Sequence, residues 1–387
     1  MKKRQTTALF ITSLVPFVVG NGLLPHLPVY ARTFGASSFA SGYYVAIAFT
    51  ATAIGSIIAG KLSDLLDRRK VLLWFSTGCM VPLIYLMGMA TSFSQLAVLT
   101  GLVWFFGGAA ISLVAILVGL SADTPKRGRS FGIVGITVPA GTLIGGIVIG
   151  PIIDHSGYGT MFLVLSCFSL LSPIAILLLH DKSTNRSETH VAVQHSDKRV
   201  RRLFILVLFA QLIAMIANGS GHLGRSLSMD MLEYSSTSIS TTAIAAGLIA
   251  LPIPFLLGYL SDKFGRKKVL LSAYLSGALS LILFAVSVRI WHFWIGASFL
   301  AVLGVSLSIG PALMTDIFPK KNIGSAISLF QGFSWIGSIV GSAGFGYVFQ
   351  RCGLQNGFLI GTVFPIASAS ILLLTFNPQK TRYRNSL

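Results

Sequence analysis

Apolar positions in this chain come in long runs, and its charges are gathered between them. Stretches free of Asp, Glu, Lys and Arg cover residues 5–31, 33–60, 130–153, 155–180, 203–224, 234–261, 269–288, 290–315, 322–350 and 352–379. The run 71–122 is long enough for two elements, with a polar turn at 91–95. A helix needs roughly 20 apolar residues to cross the hydrocarbon core of a bilayer. The pattern therefore predicts twelve transmembrane spans. They are expected to be helices, because lipid offers no partner to an unpaired backbone N–H or C=O. The first run is too long for the apolar core of a cleavable signal peptide and is read as span one.

The longest polar stretch, residues 181–202, lacks apolar periodicity and reads as a linker. It divides the chain into an expected bundle of six spans at 1–180 and a second at 203–387 with a short tail. The halves resemble each other. Segment 60–73, GKLSDLLDRRKVLL, recurs at 258–271 as GYLSDKFGRKKVLL, 198 residues later. Gly141, Gly145, Gly150, Asp154 and Gly157 recur as Gly337, Gly341, Gly346, Gln350 and Gly353, at an offset of 196. Near-constant offsets point to duplication. Six spans is an even number, so both copies run in the same direction. The expected fold is an all-α membrane protein of two pseudo-symmetric six-helix bundles, with a substrate site near the midplane.

Composition agrees: 53% of residues are hydrophobic and 10% charged, against about 25% charged in soluble domains. Charge also sets an expected topology. Of 29 basic residues, all but Arg32, Arg225, Arg289 and Arg351 fall on the side of the two termini. The positive-inside rule makes that side cytoplasmic and places the protein in the cell (inner) membrane. The net charge of +18 is thus a topology signal and implies no nucleic-acid partner. Cys79, Cys167 and Cys352 suggest neither a disulfide framework nor a metal site. The histidines at 190 and 195 lie in the linker and read as solvated. Segments 55–61 (GSIIAGK) and 219–224 (GSGHLG) imitate nucleotide-binding loops without the strand such loops follow. No cofactor and no catalytic group is expected, so the chain is not read as an enzyme.

The two loops resemble the signature of the major facilitator superfamily, G-x-L-[AS]-D-x-x-G-R-[RK]. The copy with Gly258, Asp262, Gly265, Arg266 and Lys267 matches fully. The copy with Gly60, Asp64, Arg68 and Arg69 has Asp67 in place of a glycine, and Asp tolerates left-handed backbone better than most residues. The segment 24–30, LPHLPVY, followed by Gly35, resembles span one of the bacterial drug-exporting branch. Gly60 and Gly258 are read as points of close helix approach. The resemblance implies that Asp64 and Asp262 latch the bundles when the protein faces outward, through the starts of spans eleven and five. The alternative is that the loops only anchor topology, with their basic residues at the headgroups.

Gly141, Gly145 and Gly150 resemble the antiporter motif of exporters, with Gly146 in place of its proline and Ile149 in place of a glycine. The same spacing at Gly337, Gly341 and Gly346 fits plain helix packing equally. Where exporters of this branch carry an arginine in span four, this chain has Trp104. No acid or base lies deep in a span, so proton coupling falls to boundary groups: His26, Asp154, His155, His222, Arg225 and Asp230. His222 stands three residues before Arg225, on one helix face. His26 and Arg225 occupy matching places in the two halves. They face an anionic or acceptor-rich substrate, or else snorkel to the interface. Asn21, Trp104, Gln211, Asn218, Gln331 and Trp335 are the remaining candidates for cavity lining, with helix packing as the alternative for each.

These features imply alternating-access export of a small amphipathic solute, coupled to protons. The expected partners are the solute, lipid and protons, with the protein acting as a monomer. An uptake permease or uncoupled facilitator is the nearest alternative. A non-transporting sensor is disfavoured by the short tail at 380–387.

Overall fold

A computed structural model of the protein describes residues 3–66, 68–121, 133–179, 198–317 and 323–374. The described residues form helices joined by short turns, with no strand among them. Span one is Lys3–Leu23, span two Ser38–Leu66, span three Arg69–Gly88 and span four Phe93–Ser121. Thr137–Ser169 holds span five and the start of span six, which continues as Leu171–Leu177. Span seven is Lys198–Met231, and span eight is Ser236–Ala250 followed by Ile253–Phe264. Span nine is Arg266–Ala285, and span ten is Ile290–Gly304 followed by Ser306–Ile317. Ile323–Leu374 holds spans eleven and twelve.

Nine stretches among the described residues are apolar and long enough to cross a bilayer, but two of them are double, at 45 and 46 residues. Each double stretch turns at one glycine, Gly157 (φ 78°, ψ 173°) or Gly353 (φ 77°, ψ 166°). A side chain disfavours that left-handed region, and glycine enters it freely. Span eight is broken where Leu251 and Pro252 interrupt the helix, because proline supplies no N–H and crowds the preceding turn. Counting the double stretches as pairs and adding span eight gives the twelve spans that hydropathy predicts.

The described residues cluster into two compact units. One takes Met1–Arg186 with Ser226–Gly247, and the other Ser187–Arg225 with Leu248–Leu387. In the first, small and branched side chains of spans one to four and six (Ala8, Ala59, Leu73, Leu113, Ile176) form a core near the chain's N-terminal end. Spans one and five meet through glycine: a Cβ on Gly145 would stand 2.6 Å from Gly22 Cα and 2.9 Å from the Val18 carbonyl oxygen. Gly141 lies equally close to Phe17 and Val18. The second unit repeats the device, with Gly337 against Leu212 and Met215, and Gly341 against Ile216, where spans seven and eleven meet. Dispersion between closely approached backbones is the main adhesive available to helices in lipid. Gly346 is buried in span eleven.

Two expectations need correction. Among the described residues Gly60 is not a point of close approach, since a Cβ there would meet none of their atoms within 4 Å. Spans two and four cross one turn earlier, where Gly55 lies on the Phe105 backbone and Ser56 Oγ donates to the Gly108 carbonyl at 2.9 Å. The basic run closing the linker is also helical from Lys198 onward and opens span seven. The rest of the linker, residues 181–197, lies outside the described residues.

Candidate functional site

Three basic residues of the two signature loops form bonds inside their own bundles. Arg69 Nε donates to Ser63 Oγ at 3.0 Å, and Lys70 Nζ donates to the Leu179 carbonyl at 2.6 Å. Lys267 Nζ donates to the Leu373 carbonyl at 3.1 Å. In both halves a loop lysine thus reaches a carbonyl at the end of the bundle's last span, where helix carbonyls lack intrahelical partners. Gly265 joins spans eight and nine at φ 92°, which accounts for the glycine at this signature position. Arg68 is exposed and Arg266 half-buried. The side chains of Asp64 and Asp262, and the whole of Asp67, lie outside the described residues.

At the end of the first unit remote from the termini, three polar links join span five and the segment that follows span one, which carries His26 and the short helix Leu27–Thr33, to residues 226–247. Asp154 receives the backbone N–H groups of Ser236 (2.9 Å) and Thr237 (2.7 Å), one on each carboxylate oxygen. The helix Ser236–Ala250 has no acid in its own first turn. Asp154 therefore serves as its cap from 82 residues away, satisfying two orphan donors and opposing the positive helix end. Arg32 pairs with Asp230 at 2.6 Å, both partly exposed. His26, 1% exposed, holds Ser240 Oγ at 2.7 Å through Nε2. Between these links the surface is smooth. A Cβ on Gly150 would meet Ser240 Oγ at 2.6 Å, and one on Gly146 would meet Ile244 at 2.8 Å. Sequence reasoning treated Gly146 as a departure from a motif. The signal it carried was adjacency: neighbouring residues on a helix point about 100° apart. Gly145 and Gly146 thus give span five two smooth faces, one for span one and one for span eight.

In the second unit, Gln211, Asn218, His222 and Arg225 fall on one face of span seven, at spacings of seven, four and three. Gln211 is fully buried and its amide is fully engaged. Its Nε2 donates to Ser306 (3.1 Å) and Ser334 (3.0 Å), and its Oε1 accepts from Tyr274 (2.9 Å). It packs between helices. Asn218 Nδ2 reaches Ser338 at 3.4 Å. Asn21, in the first unit, spends its Nδ2 on Thr142 at 2.9 Å. Trp104 is buried, Gln331 exposed and Trp335 38% exposed. Arg225 differs most from expectation. Span seven runs on to Met231, so Arg225 stands inside the helix, 2% exposed, and its Nε has no hydrogen-bond partner. Burial of that degree excludes snorkelling to an interface.

Apolar helices in a duplicated six-span pattern, packed through glycine seams, define a membrane transporter rather than an enzyme. The chain belongs to the Major Facilitator Superfamily, whose family model matches residues 9–224 and 203–386. It is similar to the multidrug resistance protein MdtG of Escherichia fergusonii, at 26% identity over 356 residues, covering 87% of this chain and 86% of the relative. The protein of the same name from Proteus mirabilis is 26% identical over 374 residues, covering 90% of this chain and 91% of that one. Among solved structures, a POT family transporter crystallised with 5-aminolevulinic acid superposes with a TM-score of 0.81 over 97% of this chain and 96% of that one. Its 13% identity makes that a likeness of fold alone.

Proposed function

We propose that this transporter exports a small amphipathic solute across the cell membrane by alternating access, with both termini in the cytoplasm. The seam at residues 226–247 carries the reading. It is held by one helix cap, one half-exposed ion pair and one histidine–serine bond, and it is faced with glycine and serine, with few interlocking side chains. A contact of that kind can part and re-form. On the opposite side, Asp64 and Asp262 would play the corresponding latch. The MdtG relatives, named as multidrug resistance proteins, support export over uptake. The deciding test is uptake of a compound panel into inside-out vesicles, with and without a proton gradient. Failure to accumulate any compound above protein-free vesicles would leave the export reading without support.

The cap gives a measurable expectation. Losing an N-cap costs about 1 kcal/mol, or roughly a fivefold shift in a two-state equilibrium. Asp154→Ala should therefore raise by about that factor the labelling rate of a cysteine placed at Ile244, in a chain lacking Cys79, Cys167 and Cys352. Unchanged labelling would show that Asp154 does not hold the seam closed.

Coupling is proposed to run through His222, an ionisable side chain one helical turn from the fixed charge of Arg225. Asp154 and Asp230 are already engaged, which makes them poorer carriers. His222→Gln should flatten the pH dependence of accumulation against a gradient. A profile identical to wild type removes His222 from the coupling step.

A further inference from the structure

Arg225 raises a question of electroneutrality that the protein's own carboxylates do not answer. The sequence contains eleven acids. Eight of them, at positions 64, 67, 123, 181, 188, 197, 262 and 316, fall in the sequence at span boundaries or in connections that the twelve-span pattern assigns to the side of the termini. Arg225 stands 27 residues along the helix that begins at Lys198, roughly 40 Å from that helix's own start at 1.5 Å per residue. Three acids remain at the far end, and each is accounted for. Asp154 caps the helix at Ser236, Asp230 pairs with Arg32, and Glu233 is exposed in a turn at φ 58°. The other bases outside the terminal side have their own settings. Arg32 is paired, Arg289 is exposed, and the Arg351 guanidinium lies 5.6 Å from the ring of Tyr347. Arg225 is the largest of the fully buried side chains, yet no carboxylate among the described residues pairs with it and its Nε has no hydrogen-bond partner.

A buried guanidinium without a counter-charge is costly, and burial in a membrane span makes it more so. Such a group persists where it has work to do. It cannot shed its charge, and its planar fork matches a carboxylate or phosphate through two parallel hydrogen bonds. Asn218 and His222 on the same stripe place further polar groups within two turns of it. The structure assigns to Arg225 the role of counter-charge for an acidic group, carboxylate or phosphate, on the transported solute. This rests on the transporter reading and narrows it: the amphipathic solute carries an anion at one end, and neutral or cationic compounds of the same shape are poor ligands.

The test reads binding, not transport, so it fails independently of the export reading. Full-length protein in detergent, free of added anionic lipid, is titrated with 4-phenylbutyrate and phenyl phosphate, and with 4-phenylbutanamide and 4-phenylbutylamine as neutral and cationic matches. Thermal unfolding followed by tryptophan fluorescence reports the affinities. Wild type is expected to prefer the acids over the amide by about ten- to a hundredfold, the range for hydrogen bonds to a charged group. Arg225→Gln should bring that ratio to about one. If the glutamine variant is not recovered folded, Arg225→Lys carries the test, with an expected loss of about tenfold for phenyl phosphate as the bidentate fit goes. The proposal is overturned if wild type shows a ratio near one, if neither acid binds at millimolar concentration, or if the variants keep the wild-type ratio. Chloride substituted for gluconate, and phosphatidylglycerol added in place of phosphatidylcholine, serve as further arms. If either abolishes the preference for the acids, Arg225 holds an inorganic ion or a lipid headgroup and the solute assignment falls.

Discussion

Gly145→Val is expected to leave no folded, monodisperse transporter. A Cβ at this position would lie 2.6 Å from Gly22 Cα and 2.9 Å from the Val18 carbonyl oxygen, and both obstacles are backbone. No rotamer can relieve the overlap, so spans one and five must separate along the seam where Gly141 also touches Phe17 and Val18. Overpacking in a core typically costs about 1–3 kcal/mol when side chains can adjust. Here they cannot, and the loss should exceed that range. Gly341→Val should behave in the same way, since Gly341 lies on the backbone of Ile216. Gly344→Val, three residues further along span eleven and facing open space, is the control. Size-exclusion profiles of the three purified variants decide the matter. A normal profile for Gly145→Val, or a collapse of Gly344→Val equal to that of Gly341→Val, would refute the packing account.

Gln211→Ala is expected to destabilise the second bundle by about 2 kcal/mol, because cross-helix hydrogen bonds in membranes average about 0.6 kcal/mol each and a buried void adds to the loss. The amide joins Tyr274 of span nine, Ser306 of span ten and Ser334 of span eleven to span seven. Ser334 keeps its bond to the Phe330 carbonyl, so Tyr274 bears most of the loss. Unfolding by sodium dodecyl sulfate should begin at lower detergent fraction, while Gln331→Ala, at an exposed position, should match wild type. Equal unfolding midpoints for wild type and Gln211→Ala would show that the network contributes nothing measurable.

The spans were legible because the bilayer imposes length and composition on every helix, and the duplication was legible as a repeated string of glycines and charges. Three features were not. The break in span eight follows from Pro252, but an apolar run does not reveal where a membrane helix may be interrupted. The role of Asp154 depends on amides 82 residues away, and no local pattern encodes a cap supplied by another helix. Arg225 was placed at a helix end because the uncharged run stops at residue 224. Span seven instead continues through His222, Arg225 and Asp230 to Met231, since a helix surrounded by protein can carry polar residues that one facing lipid cannot. Gln211 was a cavity candidate for the same chemistry that suits it to packing: an amide buried in an apolar setting must find partners, and Tyr274 and the neighbouring serines supply them.

The corners at Gly157 and Gly353 have a mechanical consequence. In each, one residue turns the chain and helix resumes on both sides, so there is no loop to act as a slack cable between the arms. A tilt of span five is passed to span six without lost motion, and a tilt of span eleven to span twelve. The arms of each pair behave as a bent rod with a fixed elbow. A reporter peptide spliced into either elbow would have to unwind a helical arm to find room.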